Sequence, residues 1–178
     1  MGDNQQNRRP YGKKQADARR AARRAAREAV LALLFETEYH EDEAPETVYL
    51  RAAEVRGLTV DLSEDTEPAA VDPRDERYVR TTYLGIMSHL AEIDELIGRH
   101  ATGWRTGRLS RVSRAVLRLG AYELAFDGSI PAPIAINEAV ELSKKYDAPK
   151  ARAFVNGVLN AIKNELTAGG DASDKHED

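Results

Sequence analysis

The sequence contains no cysteine, and aromatic residues make up only 6% of its 178 residues. Without cysteine the chain cannot form disulfides, cysteine-ligated zinc sites or iron–sulfur clusters, so packing alone has to hold the fold. No run of about 18 apolar residues is present, which argues against a transmembrane helix. The polar, basic N-terminus also lacks the apolar segment of a secretory signal. We therefore expect a cytoplasmic protein with no membrane partner.

Motifs of catalysis and cofactor binding are missing as well. The four histidines form no HExxH pair, and the glycines occur singly rather than in a phosphate-binding loop or a GxSxG turn. No pair of carboxylates is marked by its surroundings for acid–base work. These absences predict that the chain is not an enzyme and that it binds neither a metal nor a cofactor.

The position of the prolines favours an all-α fold. None of the seven prolines interrupts an apolar helical pattern, and several stand where a helix could begin. Three helices are predicted on each side of a connector at 98–107, which indicates two packed three-helix bundles. The predicted helices cover about 17–39, 45–56, 73–98, 110–126 and 134–146, and a last one begins at Pro149. Residues 1–15 and 167–178 are expected to be disordered tails around one helical domain, residues 16–166.

The first predicted helix carries the strongest functional signal. Residues 1–30 hold nine Lys or Arg against three acids, although the whole chain has a net charge of -4. In the segment QADARRAARRAARE at 15–28, four arginines share an arc of roughly 100° that is distinct from the alanine face. These are Arg20, Arg23, Arg24 and Arg27. Guanidinium groups bind phosphates bidentately and stack on unpaired bases, so the pattern favours single-stranded RNA as a ligand over a merely solvated face.

A second and weaker basic patch surrounds the last interhelical turn. It contains Lys144, Lys145, Lys150 and Arg152. Lys144 and Lys150 are predicted to attract phosphate, while the alternative is that Lys144 and Lys145 only complement a helix C-terminus.

Several motifs in the second half of the chain resemble those of the NusB family. They are VLRLGAYEL at 116–124, the IP turn at 130–131, AINEAVEL at 135–142 and FVNGVL at 154–159. The segment RRAAREAVLALLFE at 23–36 looks like the opening helix of that family, so the resemblance spans roughly residues 16–166. The acidic stretch 36–76 matches poorly.

The resemblance implies a transcription antitermination factor of ribosomal RNA operons. Such a protein binds boxA RNA together with NusE, a small-subunit ribosomal protein, and meets other antitermination factors and RNA polymerase indirectly. By position, Arg23, Arg24 and Arg27 would contact RNA, and Lys150 would lie near the RNA surface. Asn137, Asn156 and Gly157 belong to the family motifs but are interpreted as structural. A homodimer is a further possibility that the resemblance leaves open.

Two alternatives come from other functional classes. One is a protein-only helical scaffold whose arginines are solvated and whose acidic surface binds basic proteins. The other is a relative of the RNA-binding domain of ribosomal RNA cytosine methyltransferases. The lack of a cysteine nucleophile and of a strand–glycine-loop pattern argues against methyl transfer by this chain.

Overall fold

The chain folds into α-helices throughout the part that a computed structural model describes, residues 9–56, 73–102 and 109–173. No β-strand occurs in these ranges, and the predicted all-α fold is confirmed. The helices are α1 (Arg9–Thr37), α2 (Pro45–Arg56), α3 (Pro73–Ser88), α4 (Leu90–His100), α5 (Arg111–Ala125), α6 (Ala132–Tyr146) and α7 (Ala151–Ser173).

Most helix boundaries follow the predicted signals. Proline is the first residue of α2 and of α3, a position where its missing N–H costs nothing. The Ser110 hydroxyl caps α5 by accepting a hydrogen bond from the Ser113 amide at 2.9 Å. The two ends of the chain differ from expectation, because α1 begins at Arg9 and α7 continues to Ser173. Parts of both expected tails are therefore helical, while residues 1–8 and 174–178 lie outside the described residues.

The long helix predicted for 73–98 is two helices, which corrects the prediction. The break is at His89, which has φ -108° and ψ 18°. The Gly85 carbonyl accepts hydrogen bonds from both the Ser88 hydroxyl, at 2.9 Å, and the His89 backbone amide, at 3.1 Å. The apolar stripe nevertheless continues across the break, since Ile86 and Ile93 are both fully buried.

Two bundles form, but α4 divides them differently from the prediction. In the first bundle α1 packs on α2 and α3, and in the second α5, α6 and α7 pack on one another. Among the described residues, four helices rather than three precede the connector. The fourth, α4, lies mainly against α5 and α7, so it belongs to the second half of the molecule by packing.

The α5 helix is the centre of the molecule. It contacts α1, α3 and α4 as well as its own bundle, and Gly120 allows α7 to come close because a Cβ there would lie 2.7 Å from the Leu159 side chain. Within the described ranges, no helix has both the length and the apolar character that a membrane crossing requires.

Candidate nucleic-acid interface

The first turns of α1 stand clear of the core. Residues 13–21 are all exposed, and so is Arg23. Within the part of the chain that the structure describes, the side chains of Arg20 and Arg23 form no ion pair. Two guanidinium groups, one turn apart, are therefore available to a ligand on the same helix face.

Arg24 is held by a carboxylate of α6. Its Nε and Nη2 atoms donate to the two carboxylate oxygens of Glu138, both at 3.1 Å, and 41% of its side chain remains exposed. The hydrogen bonds from Arg24 to Glu138 outweigh burial and raise the pKa of Arg24. The guanidinium keeps further N–H groups that can still donate to a phosphate.

Arg27 does not belong to the exposed stripe, contrary to the prediction. Only 5% of its side chain is accessible, and its Nε donates to the Glu123 carboxylate of α5 at 2.9 Å. The Tyr78 hydroxyl of α3 donates to the same carboxylate at 2.5 Å. Burial raises the pKa of Glu123, while Arg27 and Tyr78 counteract that effect. Arg27 thus ties α1 to α5 and does not reach the surface.

Arg27 is buried because the surroundings of α1 change along its length. From Ala26 to Leu31 every residue is buried, so the helix is enclosed on all sides there. Helical periodicity places Arg27 on the same face as Arg20 and Arg23 but cannot show where neighbouring helices begin to cover that face.

The two predicted lysines lie on the exposed surface near the last interhelical turn, between α6 and α7. Lys144 is in the last turn of α6, and Lys150 precedes α7. Their neighbour Lys145 is used differently, since its Nζ donates to the Glu28 carboxylate of α1 at 3.0 Å. The Lys145–Glu28 and Arg24–Glu138 pairs connect α6 to α1.

Comparisons with known proteins identify the family to which this arrangement belongs. The family model described as NusB family matches residues 24–164. A transcription antitermination protein NusB from Agathobacter rectalis is 38% identical over 133 residues, which cover 75% of this chain and 92% of that protein. A solved T. maritima NusB has a TM-score of 0.66 and 36% identity, covering 80% of this chain and 91% of the other.

The chain belongs to the NusB family.

A second solved structure shows what a relative assembles with. It contains the antitermination factors NusB and NusE in complex with double-stranded RNA, and it matches with a TM-score of 0.65 and 28% identity over 82% of this chain and 98% of that one. The curated NusB relatives are named transcription antitermination proteins. The NusB family is not a family of enzymes, and the prediction that this chain is not an enzyme is confirmed.

The NusB motif residues interpreted as structural are exposed. Asn137, Asn156 and Gly157 all lie on the surface, and a Cβ at Gly157 would meet nothing within 4 Å. Gly157 therefore has no close neighbour that requires a glycine. Phe154, the first residue of the FVNGVL motif, is half-buried and packs against the edge of the core.

Sequence reasoning missed the acidic partners of this NusB surface. Glu138 falls within the AINEAVEL motif, and Glu123 within VLRLGAYEL, yet neither was connected with the arginines of α1. Their sequence separations of 114 and 96 residues from Arg24 and Arg27 leave no local pattern to detect. A buried acid inside an apolar stripe, as at Glu123, was the one available signal, because such an acid requires a partner.

Proposed function

We propose that this chain is a transcription antitermination factor that binds boxA RNA of ribosomal RNA operons together with NusE, and that it acts in the cytoplasm. The observation that carries the proposal is the pair of exposed arginines, Arg20 and Arg23, on the open part of α1. Membership of the NusB family and the relative solved with NusE and RNA support it.

The proposed RNA contacts divide into three kinds. Arg20 and Arg23 contact phosphates directly, because no acidic side chain of the described residues neutralises them. Arg24 contributes its remaining donors while Glu138 holds it in place. Lys144 and Lys150 add positive charge at the surface of the second bundle, and Arg27 supports the surface from within, where it pairs with Glu123 and binds no phosphate.

NusE is proposed to bind cooperatively with RNA. Two or three free arginines on a chain with a net charge of -4 offer few phosphate contacts, so the chain alone should bind RNA modestly. A basic partner bound to the same RNA adds contacts and raises the effective concentration of each element. Contact with other antitermination factors and RNA polymerase is then indirect.

A titration of single-stranded boxA RNA at two salt concentrations, with and without NusE, tests the proposal. NusE should tighten RNA binding, and RNA should tighten NusE binding by the same factor. The variant Arg23→Ala should weaken binding and flatten its salt dependence, whereas Arg23→Lys should keep most of that dependence because the charge remains.

The same titration distinguishes the proposed function from its main alternative. A protein-only scaffold would bind NusE with equal affinity in the presence and absence of RNA. Absence of RNA binding at low salt would reject the proposed function altogether.

A further inference from the structure

A cavity of about 280 Å³ lies beside the exposed arginines, between α1, the start of α3 and the turn that precedes α6. It opens next to Arg23 and Ser129, both of which are exposed. The lining residues are Arg23, Ala26, Arg27, Asp75, Tyr78, Ser129 and Ile130.

The inner part of the cavity combines apolar surface with two polar side chains that share a partner. Ile130 is half-buried and provides aliphatic surface, and Ala26, which is fully buried, lies behind it. Tyr78 and Arg27 are both bound to the Glu123 carboxylate, and the Arg27 guanidinium lies 5.6 Å from the centre of the Tyr78 ring. Because these groups already have partners, the walls keep their shape without a ligand.

The outer part offers hydrogen-bond acceptors. Asp75 forms no ion pair with another residue of the described ranges, so its carboxylate can accept hydrogen bonds from a ligand. The Ser129 hydroxyl donates to Asp127 at 2.6 Å, which leaves its oxygen lone pairs as acceptors. Arg23 stands at the same opening and supplies a positive charge.

We infer that this cavity accepts one unpaired RNA base that carries an amino group, while Arg23 binds a phosphate of the same strand. The inference rests on the proposed RNA-binding function and adds base selectivity to it. Proteins read single-stranded RNA by stacking splayed bases and by bonding to their edges. A carboxylate is matched to the exocyclic amino N–H donors of adenine, cytosine or guanine, whereas uracil presents a carbonyl oxygen in place of an amino group.

The size of the cavity agrees with this ligand. Pockets for drug-sized molecules have volumes of roughly 300–1,000 Å³, so about 280 Å³ leaves room for a planar base but not for a base pair. The inner walls receive the faces of the base, and the acceptors at the opening receive its edge.

An abasic scan of a short single-stranded boxA RNA tests the inference. One nucleotide at a time is replaced by an abasic site, and the affinity of each RNA for the full chain is measured. At one amino-bearing position the replacement should weaken binding about tenfold, since a bound base contributes on the order of that factor.

The variant Asp75→Asn assigns that position to the cavity. It removes the charge and one acceptor with little change in volume, so the abasic penalty should shrink by about half on a logarithmic scale. The variant Glu76→Gln is the matched control, because Glu76 is an exposed acid in the same turn of α3 and does not line the cavity. Its abasic penalty should equal that of the unaltered chain.

The possible failures are distinguishable. If intact RNA does not bind, both the proposed function and the cavity assignment are overturned. If RNA binds through Arg20 and Arg23 but the scan is flat, or if Asp75→Asn and Glu76→Gln give equal penalties, only the cavity assignment is overturned.

Discussion

The two halves of α1 use the same residue type for opposite purposes. Over residues 13–25 the helix is exposed or half-buried, and over 26–31 it is completely buried. Arg23 faces solvent in the first half, and Arg27, one turn later, is enclosed by Glu123 and Tyr78 in the second. The buried half fixes the direction of the helix, and the exposed half presents charge on a rigid support.

The comparison teaches that helical periodicity is insufficient for assigning function to a charged stripe. A ligand-binding arginine and a structural arginine can share one helix face, since burial depends on helices that are distant in sequence. We therefore expect substitutions of the arginines before the boundary between Arg24 and Arg27 to affect RNA binding, and substitution of Arg27 to affect folding.

The largest expected effect comes from breaking the buried half. Arg27→Ala leaves Glu123 buried without its cationic partner, and loss of one member of a buried ion pair costs about 3–5 kcal/mol. Urea denaturation should show this loss in the free energy of unfolding. Arg23→Ala is the control, and it should change that free energy by no more than about 0.5 kcal/mol.

A double variant checks the cause of this instability. Arg27→Met combined with Glu123→Gln removes both charges and keeps an acceptor for the Tyr78 hydroxyl, so it should be more stable than Arg27→Ala alone. Equal stability of Arg27→Ala and the unaltered chain would show that the pair does not anchor α1.

Phe154 is intermediate in burial between the exposed and the fully buried positions of the molecule. Because it is only half-buried, Phe154→Ala should cost about 2 kcal/mol, less than the roughly 3–5 kcal/mol of a fully buried phenylalanine. Leu159→Ala, at a fully buried position of the same helix, should cost more, about 3–4 kcal/mol. Denaturation curves of both variants make the comparison, and a larger loss for Phe154→Ala would place its ring in the core.

The fold was largely predictable because local sequence patterns mark most of its helices. Proline at helix starts and the helical spacing of apolar residues are local patterns, and they identified most elements. The break at His89 was missed, since it leaves the apolar spacing of the two helices intact.

The candidate surface was predictable only in part. Exposure of Arg20, Lys144 and Lys150 agrees with their predicted positions on the surface, while their contact with RNA stays a prediction. The burial of Arg27 and the engagement of Arg24 are decided by acids of α5 and α6. No sequence pattern of a single helix contains that information.

A smaller effect is expected from removing the free charges of the exposed half. The double variant Arg20→Ala with Arg23→Ala should lower RNA affinity about tenfold at physiological salt and reduce the log–log salt slope by about 1.4, which is about 0.7 for each lost phosphate contact on a single strand. Titrations at several salt concentrations measure both quantities.

Two controls complete this test: the stability of the double variant and the RNA binding of Arg27→Ala. The double variant should unfold at the same urea concentration as the unaltered chain, since neither arginine side chain forms an ion pair with another of the described residues. Arg27→Ala, measured under conditions in which it is folded, should retain the full salt slope. A slope that falls in Arg27→Ala and not in the double variant would reverse the assignment of the two halves.

The smallest effect concerns Arg24, which lies at the boundary between the halves. Glu138 occupies two of its donors and brings a negative charge close to the proposed path of the RNA. Glu138→Gln removes that charge and weakens the hold on Arg24, so RNA affinity should rise about threefold and the salt slope should steepen by up to about 0.7 as Arg24 gains a full phosphate contact. The stability should change by no more than about 1 kcal/mol, because the pair is partly exposed.

A double-mutant cycle shows whether the gain passes through Arg24. If it does, Glu138→Gln should have little effect on RNA binding in an Arg24→Ala background, apart from the loss of its own repulsion. The opposite result, weaker RNA binding by Glu138→Gln alone, would mean that the carboxylate orients the guanidinium toward the phosphate. Arg24 would then resemble Arg27 in depending on an acid of the second bundle, and the functional boundary in α1 would move one turn toward its start.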